Sequence, residues 1–216
     1  MTEYNSLIEQ IKKIAEKLFD GANESHDWEH TIRVARLCQR IGKEENADMV
    51  VLMIAAYLHD IGRCYQDSSN GAVCHAKKGA EMAQLIISNL SLSPDRKKNI
   101  IHCVEAHRFR GNIPAGTKEA KVLFDADKLD AIGAIGIARA FLFAGEVGAK
   151  LHNPDINIEE TKPYSKEDTG YREYKIKLSK LKERMLTDTG KQMAITRHSF
   201  MELFFNQFVM EHEGKR

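Results

Sequence analysis

The stretch MVVLMIAAYLHDIGR, Met49 to Arg63, decides the fold. Its first ten residues are strongly apolar, a run about half as long as the roughly 20 residues a membrane span needs. An apolar run of this length with no polar face belongs to a helix in the middle of a soluble core. His59 ends it, four residues after Ala55 and eight after Val51, so His59 also faces the core. Asp60 follows at once, and a carboxylate at the edge of an apolar core is costly unless a cation or hydrogen-bond donors compensate it. The inward His-Asp pair therefore asks for a partner.

Outward from this run, apolar residues recur every three to four positions in nearly every segment and prolines number only four, so the pattern is all-α. It predicts helices near 3–19, 27–43, 47–59, 75–90, 95–107, 117–130, 132–147, 171–186 and 188–211. Gly62 and Gly111 come just after predicted helix ends, where glycine serves as a stop. The span LHNPDINIEETKPYSKEDTG, Leu151 to Gly170, has two prolines and little periodicity and reads as a long loop or lid. The expectation is a single compact domain over 1–216, with a core at about 20–147, the loop or lid at about 151–170 and a C-terminal helical extension at about 171–211.

A net charge of +1 with 29% charged residues gives no global field to draw in nucleic acid, so any anion is bound locally. Cys38, Cys64, Cys74 and Cys103 form no CxxC pair and the chain opens MTEYNSLIEQ, without a signal-peptide pattern, so reduced thiols in a cytoplasm are expected. No membrane association is expected either.

Helical spacing then tests which polar residues point inward. His30, in SHDWEH at Ser25 to His30, lies four, seven and eleven residues before Val34, Leu37 and Ile41 and opens a buried stripe. His75 leads Met82 and Ile86, and His107 trails Cys103 and Ile100, so both can join a buried site. His102 shares its face with Lys98 and Glu105 and belongs at the surface. In LFDADKLDAIGAIGIARAF, positions two apart diverge by about 200° and positions three apart by about 60°. Asp127 and Asp130 therefore share an inward face with Leu123 and Ala134, Asp125 looks elsewhere, and Gly133 and Gly136 allow close helix packing. Inward histidines with inward carboxylates on separate helices are the inventory of a divalent-cation site.

These residues resemble the HD superfamily of metal-dependent phosphohydrolases, whose signature runs H…HD…D. The blocks HDWEHTIRVARL, LMIAAYLHDIGR, HAKKGAEMAQLII and DADKLDAIGAIGIAR resemble family blocks in the expected order, and the C-terminal KLSKLKERMLTDTGKQMAITRHSFMELFFNQFVMEHE resembles the tail of small stand-alone bacterial members. The resemblance implies metal ligands His30, His59, Asp60 and Asp127 for one ion, Mn²⁺ first and Mg²⁺, Fe²⁺, Co²⁺ or Ni²⁺ as alternatives. In the family's two-metal branches further histidines stand between HD and the final Asp, places that His75 and His107 match for a second metal or the pocket wall. His26 and Asp27 would belong to the helix start, with Ser25 or Asp27 as cap.

The implied chemistry is hydrolysis of a phosphate ester or anhydride. Arg33, Arg63, Lys128 and Lys177 are candidates to bind the substrate's phosphates, and Asp60 or Asp130 to take the proton of the attacking water. The first expectation is a (deoxy)nucleoside triphosphate pyrophosphohydrolase releasing monophosphate and pyrophosphate. The runner-up is a 5′-nucleotidase or another phosphomonoesterase or phosphodiesterase, and the non-enzymatic alternative is a metal- or nucleotide-binding module. SFMELFFNQFVMEH, Ser199 to His212, is apolar enough to pack on a second subunit, giving a possible homodimer, although such a stripe is more often core.

Overall fold

The computed structural model describes residues 3–19, 28–69, 71–108 and 113–216. Among these the regular structure is helical: α1 (Glu3–Leu18), α2 (Trp28–Glu44), α3 (Met49–Leu58), α4 (Arg63–Ser68), α5 (His75–Ile87), α6 (Pro94–Ala106), α7 (Lys118–Asp130), α8 (Gly133–Glu146), α9 (Gly170–Ile176) and α10 (Asp188–His212), with 3-10 segments at Ile158–Glu160 and Leu178–Arg184. The chain divides into two compact units, Met1–Asp127 and Lys128–Arg216.

In the first unit α3 is the central helix. Val51, Leu52, Ile54, Ala55, Ala56, Tyr57 and Leu58 are all buried, because α1, α2 and α6 pack around it, and Met49, Val50 and Met53 are half-buried. Its start is pinned by polar contacts. Asp48 caps the helix, accepting from the amides of Val50 at 3.0 Å and Val51 at 3.3 Å. The other Asp48 oxygen accepts from Arg96 Nε of α6 at 2.8 Å, and the Asp48 amide donates to Glu119 Oε1 of α7 at 2.7 Å. Asn99 of α6 donates to the second Glu119 oxygen at 2.9 Å. One side of the unit thus clamps α3, α6 and α7, and the functional side chains are found farther along the same helices.

Gly62 departs from its expected role. Its φ of −88° is ordinary, and it precedes the short, unanticipated helix α4 instead of stopping one. The glycine is required by a close approach, since a Cβ there would lie 2.3 Å from the carbonyl oxygen of His75 and 2.6 Å from the amide of Gly79. Gly111 lies outside the described residues.

In the second unit α10 packs on α8, and α8 on α9, through an aromatic core in which Tyr174 and Phe205 stack at 4.2 Å between centroids. Gly133, at φ +78°, adopts a conformation glycine tolerates best, and a Cβ there would press on Arg197 of α10 at 3.0 Å. Gly136 serves the local turn rather than a neighbouring helix, because its Cβ would meet the carbonyl oxygen of Ala131 at 2.2 Å. The predicted helix 171–186 is broken at Lys177, with φ −128° and ψ −57°, into α9 and a 3-10 segment. Leu178 and Leu181 are buried in that segment, and a spacing of three is compatible with α and 3-10 geometry alike. The 151–170 loop is built around Arg172, which donates to Asp168 Oδ1 at 2.6 Å, to the carbonyl of Thr161 at 3.1 Å and to the Thr161 hydroxyl.

Candidate metal centre

Most of the residues singled out for metal chemistry sit at or near helix ends. His30 is the third residue of α2, His59 caps the C-terminus of α3, His75 opens α5, His107 caps the C-terminus of α6, and Asp127 lies on α7. Asp60 occupies the turn between α3 and α4. His30, His59, Asp60, His75 and His107 are all buried to 4% exposure or less, while the Asp127 side chain keeps 21%.

Asp60 is the hub. Its Oδ2 lies 3.8 Å from His30 Nε2 and 3.9 Å from His59 Nε2, and its Oδ1 lies 3.4 Å from the Nε2 atoms of both His75 and His107. On the first side His30 Nε2 is also 3.4 Å from Asp127 Oδ1 and 3.4 Å from His59 Nε2. On the second, the Nε2 atoms of His75 and His107 are 3.2 Å apart. His30, His59 and Asp127 form one group with ligand atoms all within 4.8 Å of one another, and Asp60, His75 and His107 form another.

The donor set fits a divalent cation. His59 Nδ1 donates to the Ala56 carbonyl at 2.8 Å, His107 Nδ1 to the Val104 carbonyl at 2.6 Å, and His75 Nδ1 to Gln66 Oε1 at 2.8 Å. Each bond places the proton on Nδ1 and leaves Nε2 as a lone pair aimed inward. Lone pairs of His75 and His107 then face one another beside a carboxylate oxygen, a repulsive arrangement that a cation between them reverses. Burial pushes both imidazoles down, His59 to about 4 and His75 to about 3, so they are neutral and able to ligate at neutral pH. Burial alone would raise Asp60, but the Arg63 guanidinium, together with His59, His107 and His75, holds it well below the usual carboxylate range.

The other candidates are placed as follows. Arg63 is bound to Asp60, its Nη2 reaching the two oxygens at 3.1 and 3.3 Å. Arg33 is half-buried on α2. Lys128, buried, and Lys177, exposed and paired with Glu173 at 2.6 Å, belong to the second unit. So does Asp130, whose carboxylate accepts from Arg139 at 2.9 Å. Asp125, expected to look elsewhere than the Asp127 face, is fully buried and stands outside both ligand groups. His102 is half-buried and its Nε2 accepts from the Gly116 amide at 3.0 Å. Trp28 packs against Phe19 and Tyr57. Ser25, His26 and Asp27 lie outside the described residues. Sequence reasoning missed Gln66, which orients His75 from a segment without helical periodicity, and Arg108, which donates to Cys74 Sγ at 3.0 Å.

The chain is similar to known proteins over most of its length. The HD domain family model matches residues 27–132. The Bacillus subtilis protein YpgQ is 32% identical over 210 residues, covering 95% of this chain and 94% of that protein. An HD-superfamily hydrolase from Bacillus thuringiensis superposes with a TM-score of 0.77 at 28% identity, covering 97% of this chain and 98% of that one. The structure of B. subtilis YpgQ in complex with ADP gives 0.76 at 29% identity, covering 97% of each chain. With a His-Asp hub buried at the end of its central helix and this match across its length, the chain belongs to the HD domain superfamily.

Proposed function

We propose that the protein is a divalent-metal-dependent phosphohydrolase of nucleotides that cleaves (deoxy)nucleoside triphosphates to monophosphate and pyrophosphate. The observation that carries the reading is the Asp60 carboxylate, with one oxygen turned toward His30 and His59 and the other toward His75 and His107. His30, His59, Asp60 and Asp127 would hold one ion, and Asp60, His75 and His107 a second. Imidazole and carboxylate together suit Mn²⁺ and its first-row neighbours. Such an ion supplies an activated water near neutral pH and polarises a phosphoryl oxygen. The protein's own groups set the stage: Gln66 fixes the tautomer of His75, Arg63 orients Asp60, and Asp127, the most exposed ligand, borders the side open to solvent. Asp60 and Asp130 are the two carboxylates suggested as proton acceptors, and each is engaged by an arginine, Asp60 by Arg63 and Asp130 by Arg139.

The ADP in the YpgQ structure supports a nucleotide as the ligand class for this chain. The test is a product assay on metal-stripped protein reloaded with Mn²⁺ and offered NTPs, dNTPs and monophosphates, with products resolved by chromatography. Monophosphate with pyrophosphate is the expected result. Nucleoside with free phosphate would make the protein a nucleotidase, and nucleotide-dependent thermal stabilisation without product would make it a binding module.

A further inference from the structure

Arg108 directly follows His107 at the end of α6, and its guanidinium contacts the thiol of Cys74, the residue immediately before His75. It therefore stands between the two helix ends that carry the second half of the cluster. Its commitments differ from those of Arg63 and Lys177. Arg63 gives its Nη2 to both oxygens of the buried Asp60, and Lys177 is paired with Glu173. Among the described residues Arg108 has a thiol as its polar contact, and no carboxylate pairs with it. Sulfur is a weak acceptor, and a guanidinium offers five donors in a planar fork. Phosphate oxygens satisfy that fork in pairs, and exchanging one thiol contact for them costs little. The residue is half-buried, so an incoming anion meets it partly stripped of water.

We propose that Arg108 binds the phosphate chain beyond the reacting phosphorus, and so selects nucleoside triphosphates over monophosphates. The assignment rests on the phosphohydrolase reading. It is tested by isothermal titration of inorganic tripolyphosphate and of inorganic phosphate into the Mn²⁺-loaded wild-type, Arg108→Ala and Arg108→Lys proteins, with metal content measured on each. Loss of charge-assisted bonds predicts that Arg108→Ala weakens tripolyphosphate binding about 10- to 100-fold while phosphate binding and metal content hold, with Arg108→Lys in between. In turnover the KM for a nucleoside triphosphate rises and kcat is retained. Equal tripolyphosphate affinity in wild type and Arg108→Ala, an equal loss for both anions, loss of metal in both variants, or no tripolyphosphate binding by the wild type overturns the assignment. The two proposals fail separately: triphosphate cleavage with an unchanged KM in Arg108→Ala removes only Arg108, and Arg108-dependent tripolyphosphate binding without cleavage of any nucleotide removes only the enzyme.

Discussion

On the Oδ2 side of Asp60 the candidate ligands come from α2, the end of α3 and the body of α7, and one of them, Asp127, keeps a fifth of its side chain in contact with solvent. On the Oδ1 side they come from the first residue of α5 and the cap of α6, both buried, and the α5 histidine is steered by a side chain of α4. The two sides share one carboxylate but not one environment. In the proposed reading the first side exchanges what it holds with water and substrate, and the second keeps a fixed charge in a fixed place.

That contrast can be broken at several depths. Asp60→Ala removes the shared ligand, so activity falls on the order of 10⁴-fold and metal analysis finds both ions gone; retention of either ion would show that the hub is not shared. His59→Ala and Asp127→Asn strike one side, and abolish turnover while the second ion remains detectable by mass spectrometry of the native protein. In Asp125→Asn, by contrast, thermal unfolding comes earlier and metal content is kept, because that carboxylate is buried yet stands outside both ligand groups. His75→Ala or His107→Ala removes the second ion alone, leaving a singly loaded protein with measurable activity. Gln66→Ala is the mildest cut. Freeing the ring of His75 weakens the second ion about 10- to 100-fold, read as a rightward shift in a Mn²⁺ titration, with the first ion unmoved.

The sequence revealed these two sides unequally. His30 opens a stretch of clear helical period, His59 closes a continuous apolar run, and the signature H…HD…D is read without coordinates. His75 and His107 have the right spacing too, but spacing cannot say that both meet the same oxygen of Asp60, which depends on how α5 and α6 are packed. Gln66 was invisible because α4 is six residues long, too short for a hydrophobic period to develop. The burial of Asp125 escaped for a related reason: counting angles on one helix identifies one inward face, whereas a helix covered from more than one direction has several. The break at Lys177 was hidden by a leucine spacing that α and 3-10 helices share.

The close approach at Gly62 bears on how the second side keeps its dimensions. Main chain meets main chain there with no side chain between, so the separation of the His-Asp pair from His75 rests on the steep repulsive wall between backbone atoms. Side-chain packing yields to small rotamer adjustments, and a spacing held that way can be tuned by degrees through substitution of its neighbours. A spacing held by two backbones in contact behaves as a mechanical stop. It is insensitive to the surrounding side chains and to their thermal motion, and it answers to a single methyl group at one position with a step.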